Sequence, residues 1–131
     1  MLDKASHEKQ DIINVSYKLA QKDMDVSFFR KVLSWGSSFL YKSLFSEIKK
    51  YNMTVLTCSY RIYNLEKIKD IKLKSDDFNC CAELLIKSML KNLNITEIAG
   101  ENIGRRFGYS KMKIMKNILN TLKTIFLIKI N

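Results

Sequence analysis

Asn94-Ile95-Thr96-Glu97-Ile98, followed closely by Gly104-Arg105-Arg106-Phe107-Gly108-Tyr109-Ser110-Lys111, reads as an extended segment feeding a basic, glycine-broken loop. Such a loop is built to hold phosphate. Arg105, Arg106 and Lys111 supply fixed positive charge, the glycines, Gly108 among them, let backbone N–H groups approach a ligand, and Ser110 adds a hydroxyl donor. The plain alternative for an arginine pair beside a turn is a solvated surface.

The 131 residues amount to one domain, long enough to bury a core if its elements close on one another. A net charge of +10 with 47% hydrophobic residues argues against disorder and for an anionic partner: nucleic acid, acidic lipid headgroups or a phosphorylated substrate. The three cysteines, Cys58, Cys80 and Cys81, have neither the even count of a disulfide framework nor the Cys-x-x-Cys spacing of a zinc site. They read as reduced, buried, small apolar residues of a cytosolic protein. Met1 to Gln10 is polar and lacks the apolar centre of a secretory signal.

Met1 to Gln10 suits the tail of a helix, and Asp11 to Tyr17 a short strand. From Val26 to about Lys50 the apolar residues recur at helical spacing, with Asp25 or Ser27 placed to cap the start. A strand is expected near Val55 to Tyr63, a helical turn near Leu65 to Ile71, a polar loop through Ser75-Asp76-Asp77, and a helix from Phe78 to Leu93. The chain has no proline, so no helix is interrupted by ring sterics.

Two of these helices bear on function. Arg30 and Ser34 stand four residues apart, which brings both side chains to one helical face where they can grip a single phosphate; a solvated edge is the plainer reading. Trp35 and several phenylalanines among Arg30, Lys31 and Lys42 fit a helix lying in a membrane interface, and equally a core helix. In the C-terminal segment Met115, Ile118, Leu119, Leu122, Ile125 and Phe126 form a stripe, with Lys113, Lys116 and Lys123 on other faces. The run Ile125 to Ile128 falls far short of the roughly 20 apolar residues needed to cross a bilayer, so this helix is expected to lie on an anionic surface.

In order, these segments resemble the second half of the catalytic domain of family-two glycosyltransferases that use polyprenyl-phosphate acceptors, the dolichyl-phosphate mannose synthase type. Thr57-Cys58-Ser59-Tyr60-Arg61-Ile62-Tyr63 is similar to that family's Thr-Ser-Gly-Phe-Arg-x-Tyr segment. Phe78 to Leu85 is similar to its Phe-x-x-x-x-Glu-x-Leu helix, with Glu83 on the acid, and Glu97-Ile98 to its Glu-Ile-Pro strand, with Ala99 in place of proline. Arg105 to Lys111 is similar to its Arg-Arg-Tyr/Phe-Gly-x-Ser-Lys loop, and the likeness covers roughly residues 11 to 125.

The resemblance implies an incomplete α/β domain: the acceptor-side, C-terminal half of a glycosyltransferase A-type fold over residues 11–111, followed by an amphipathic helix over 112–131. It implies that Arg30 and Ser34 contact the acceptor lipid phosphate, that Arg105, Arg106, Gly108, Ser110 and Lys111 serve the phosphates, and that Glu83 is catalytic, near the sugar or acceptor. Polyprenyl phosphate and a nucleotide sugar are the implied substrates, and the implied location is peripheral, at the cytoplasmic face of a membrane. No cofactor is expected in this chain. The Mg or Mn ion of the complete enzyme belongs with a nucleotide-binding Asp-x-Asp half, expected to be missing here and supplied by a separate chain or lost in an inactive remnant. Asp23-Met24-Asp25 follows no strand and reads as a helix-capping connector. The family's arginine after the first strand is absent, because Tyr17 follows Ser16 directly. A different expectation is a small, non-enzymatic basic module on acidic membrane or nucleic acid; the resemblance does not call for nucleic acid.

Overall fold

The computed structural model describes residues 9–19, 28–57, 60–100 and 113–130. The chain is a mixed α/β fold with a three-stranded sheet. Strand β1 (Ile12–Ser16) lies between β2 (Arg61–Tyr63), antiparallel to it, and β3 (Ile95–Ala99), parallel to it. Every residue of β1 is buried, as expected of a central strand covered on both faces. By the two-residue repeat, Ile12, Asn14 and Ser16 share one face, and Ile13 and Val15 the other.

Helix α1 (Phe28–Leu44) follows β1, then a 3₁₀ segment (Ser46–Tyr51). One continuous helix from Val26 to Lys50 is therefore corrected to two pieces. Phe45 adopts an extended conformation between them, φ −123° and ψ 92°, and the turn carries Phe45 and Ile48 into the core. Asn52, at φ 48°, ends the 3₁₀ segment in the left-handed region that asparagine tolerates better than most residues. The caps proposed at Asp25 and Ser27 lie outside the described residues, as do positions 1–8 of the expected N-terminal helix.

Helix α2 (Leu65–Ile68) is a single turn whose Asn64 side chain accepts the Glu66 amide at 3.1 Å. Helix α3 (Asn79–Leu90) leads through Asn92, at φ 57°, into β3, and α4 (Ile114–Ile130) packs back along α3. The core gathers Ile12 from the sheet, Tyr41 and Phe45, Ile48 and Met53, Leu56, Ala82, Leu85, Ile86 and Met89 from α3, and Ile125 and Ile128 from α4. Cys80 and Cys81 are free thiols, half-buried rather than buried; Cys58 lies outside the described residues.

Candidate functional site at the ends of the parallel strands

Because β1 and β3 are parallel and in register from Ile12↔Ile95 to Ser16↔Ala99, their C-terminal ends emerge side by side. In open α/β sheets this is the edge where ligands bind. The Gly100 amide donates to the Ser16 carbonyl at 3.1 Å, continuing the ladder one residue beyond β3. A Cβ on Gly100 would collide with Val15 Cγ1, so glycine leaves room there for the Val15 side chain. Tyr17 and Lys18 leave β1 at this edge, and the chain leaving β3 leads to Arg105–Lys111.

Tyr17 Oη reaches Ser34 Oγ on α1 over a long 3.4 Å contact. That contact brings the candidate acceptor helix to the strand ends. Arg30 lies one turn earlier on the same helical face. Lys18 Nζ donates to the Thr54 carbonyl at 3.5 Å, and the Ser16 and Thr54 hydroxyls share a short hydrogen bond.

Beneath these groups a row of polar residues crosses the sheet. Arg61, Asn14 and Glu97 are register partners on the three strands. Arg61 Nε donates to Asn14 Oδ1 at 2.6 Å, while Asn14 Nδ2 donates to Glu97 Oε1 at 2.8 Å and to the Val55 carbonyl at 3.0 Å. Glu97 Oε1 also accepts the Val55 amide at 3.2 Å. Glu97 Oε2 accepts the Thr54 amide at 2.9 Å and the Thr54 hydroxyl at 2.8 Å. Arg61 then reaches the Leu56 carbonyl through Nη2 at 2.6 Å and the Cys81 carbonyl through Nη1 at 2.7 Å.

This row corrects the expected strand from Val55 to Tyr63. Side chains of Glu97, Asn14 and Arg61 satisfy the backbone of Thr54 to Leu56, and among the described residues the strand itself spans Arg61–Tyr63. Asn14 and Glu97 did not stand out as site residues in the sequence. For Asn14 alone the sequence has a signal, a polar residue set between Ile13 and Val15 in an apolar strand, which needs a partner; the identity of that partner is not in the local pattern.

Glu83, implied as catalytic, is fully buried on α3. Its carboxylate accepts the Lys74 amide at 3.0 and 3.1 Å and the Ser75 amide at 2.8 Å, and it pairs with Lys87 at 2.6 Å. Burial pushes its pKa up, but the Lys87 ammonium and the Ser75 and Lys74 amides outweigh that and leave it lowered. Lys87 also donates to the Lys72 carbonyl at 2.7 Å. With both oxygens engaged, Glu83 anchors the loop that precedes α3.

Helices α1 and α4 expose rows of apolar side chains. On α1, Phe28, Phe29, Val32, Trp35 and Phe39 are exposed, Trp35 at 65%, and the Trp35 and Phe39 rings stack with centroids 6.0 Å apart. Tyr41 and Ser38 face inward, so α1 is both a core helix at one end and an exposed aromatic surface along its length. On α4 the expected stripe divides. Ile125 is buried in the core, while Met115, Leu119, Leu122 and Phe126 are exposed. Among the described residues, no helix is long and apolar enough to cross a membrane.

Of the site residues read from the sequence, Ser34 stands at the strand ends and Glu83 stands elsewhere, under the loop before α3. Arg30 belongs to α1, but its side chain is outside the described residues, as are Arg105, Arg106, Gly108, Ser110, Lys111 and the Asp23-Met24-Asp25 segment. Among the described residues, no three His, Cys, Asp or Glu side chains gather into a set that could hold a metal ion. Comparison of the chain with protein-family profiles, curated proteins and solved structures gave no match.

Proposed function

We propose that the chain is the acceptor-side half of a membrane-surface glycosyltransferase that moves a sugar from a nucleotide sugar to a polyprenyl phosphate. The observation that carries this reading is the meeting of Ser34 with Tyr17, which brings a helix of exposed aromatic side chains to the C-terminal edge of the parallel strands. An amphipathic lipid phosphate has both its surroundings there: aromatic surface for its chain and polar groups for its head.

In this reading an oxygen of the acceptor phosphate attacks the anomeric carbon, the bond to the nucleoside diphosphate breaks, and the diphosphate leaves with the electron pair as the centre inverts. The nucleophile is already anionic, so the protein's task is to bring two polyanions together and to stabilise charge on the leaving group. Arg30 and Ser34 hold the acceptor phosphate. Arg105, Arg106, Ser110 and Lys111, with the backbone at Gly108, serve the diphosphate. A donor-binding half supplies the nucleotide site and its divalent metal. Glu83 and the Arg61–Asn14–Glu97 row hold the surrounding loops in place.

Sedimentation with vesicles tests this directly. The protein is expected to bind vesicles containing polyprenyl phosphate roughly tenfold better than phosphatidylglycerol vesicles of equal charge, the worth of one or two charge-assisted hydrogen bonds. Arg30→Ala and Arg106→Ala are each expected to abolish that preference. Equal binding to both vesicles refutes the acceptor reading. Steeply salt-dependent binding to nucleic acid, with indifference to lipid phosphate, establishes the non-enzymatic module instead.

A further inference from the structure

Between the loop that precedes α3 and helix α4 lies a cleft of about 280 Å³, lined by Lys74, Ser75, Asp76 and Asp77 on one side and by Lys116, Asn120, Lys123, Thr124 and Leu127 on the other. We propose that this cleft receives the phosphodiester of an anionic phospholipid while the neighbouring apolar stripe of α4 enters the bilayer surface. The proposal shares a membrane surface with the function above and does not depend on the acceptor chemistry.

Four observations lead there. The first is spacing: Met115, Leu119, Leu122 and Phe126 are exposed apolar residues, and Lys116, Asn120, Lys123 and Leu127, each one position later, line the cleft. At 3.6 residues per turn, these are two parallel tracks about 100° apart along one helix. Apolar side chains dipping into the acyl boundary therefore bring the cleft to headgroup depth.

The second is rigidity. Glu83 fixes the loop through the Lys74 and Ser75 amides, Lys87 fixes it through the Lys72 carbonyl, and the Ser75 and Thr124 hydroxyls meet at 2.8 Å across the two walls. Asn120 Nδ2 donates to Asp77 Oδ2, joining α4 to the loop a second time. A site fixed before the ligand arrives loses less freedom on binding.

The third is charge. Three lysines face two aspartates, and the Asp77 carboxylate already accepts the Asn79 amide at 3.0 Å and the Asn79 side chain. Over the described residues that line the cleft, lysines outnumber aspartates by one, and Lys116 and Lys123 on the α4 wall supply the positive charge for an anionic headgroup. Among the described residues Lys116 and Lys123 form no ion pair.

The fourth concerns the alternative occupant. Helix α4 contains Lys116, Lys123 and Lys129 and no acidic residue, so a second copy laid on its stripe would set lysine against lysine. An anionic bilayer is the complementary surface.

The test compares two double variants of the whole chain, each removing two positive charges: Lys116→Gln with Lys123→Gln in the cleft, and Lys113→Gln with Lys129→Gln outside it. All four residues are exposed, so folding should survive, as circular dichroism will verify. Binding is measured by sedimentation with phosphatidylglycerol–phosphatidylcholine vesicles free of polyprenyl phosphate. General surface attraction costs roughly fivefold per lysine and applies to both variants. The cleft pair is expected to lose at least tenfold more than the outer pair. Equal losses overturn the proposal. Displacement from the vesicles by millimolar inorganic phosphate overturns the lipid assignment, and a concentration-dependent dimer lost only in the cleft pair, with vesicle binding intact, replaces the bilayer with a second copy. Because these vesicles contain no polyprenyl phosphate, none of the outcomes bears on the acceptor reading.

Discussion

Replacing Glu97 by glutamine exposes how the polar row across the sheet works. Each oxygen of the native carboxylate accepts two donors: Oε1 takes Asn14 Nδ2 and the Val55 amide, and Oε2 takes the Thr54 amide and hydroxyl. An amide group has one oxygen and one NH₂, so one pair of donors must face another donor. Placing NH₂ at the Oε1 position would confront two N–H donors, and Asn14 cannot turn over without losing both Arg61 and the Val55 carbonyl. Placing it at Oε2 is less costly, since the Thr54 hydroxyl can turn and accept; only the Thr54 amide is then stranded.

One half-buried N–H without a partner costs about 1–3 kcal/mol, and the remaining hydrogen bonds lose the strength of a charged acceptor. A total of about 2–3 kcal/mol follows. With a urea dependence of about 2 kcal/mol per molar for a domain of this size, the unfolding midpoint falls by about 1–1.5 M. Urea titration followed by circular dichroism and Trp35 fluorescence measures it. A midpoint within about 0.3 M of wild type, with unchanged spectra, would show that the four hydrogen bonds to Glu97 do not hold this loop.

Three further substitutions test other parts of the fold. Tyr41 is wholly buried, its hydroxyl has no hydrogen-bond partner among the described residues, and burial, with the Glu83 and Asp77 charges, raises its pKa; Tyr41→Phe should therefore stabilise the protein by about 1 kcal/mol, seen as a rise of about 3–5 °C in Tm by calorimetry. Gly100→Ala should cost about 1–3 kcal/mol because its Cβ meets Val15, and in a double-mutant cycle the cost should shrink when Val15 is already alanine. Glu83 has a folded-state pKa below its ordinary 4.5, so its contribution to stability is complete above that value and is lost as the pH falls through the lower folded value. The gap in urea midpoint between wild type and Glu83→Gln should accordingly be full above the ordinary carboxylate value of 4.5 and narrow as the pH is lowered beneath it; a gap that is constant with pH contradicts the ionised pairing with Lys87.

Regular elements with a clear period were legible in the sequence. Ile12–Ser16 and Ile95–Ala99 were readable as strands from their apolar, β-favouring residues, and α3 and α4 from helical spacing. The break at Phe45 was not, because neither proline nor glycine marks it; tertiary packing of Phe45 and Ile48 decides where α1 stops. Nor was the irregular path of Thr54 to Leu56 legible, since its backbone is satisfied by side chains more than 40 positions away for Asn14 and Glu97. Of the candidate site, the sequence offers only the helical spacing of Arg30 and Ser34, whereas the contact of Ser34 with Tyr17 and the Arg61–Asn14–Glu97 row depend on tertiary packing and strand register, which no local pattern encodes. The structural work of Glu83 was hidden for the same reason, because its amide partners lie in a loop with no regular period.

The placement of β1 at the centre of the sheet has a consequence for biosynthesis. Its parallel neighbour is encoded 83 residues later, at the separation of Asn14 from Glu97. At a translation rate of about 5–20 residues per second, β1 waits roughly 4 to 17 s before β3 has been made. During that interval a strand with apolar side chains on both faces has at most its antiparallel neighbour β2 and lacks its parallel one. Nascent chains stalled with β3 still inside the ribosomal tunnel and with β3 fully emerged should therefore differ in protease resistance.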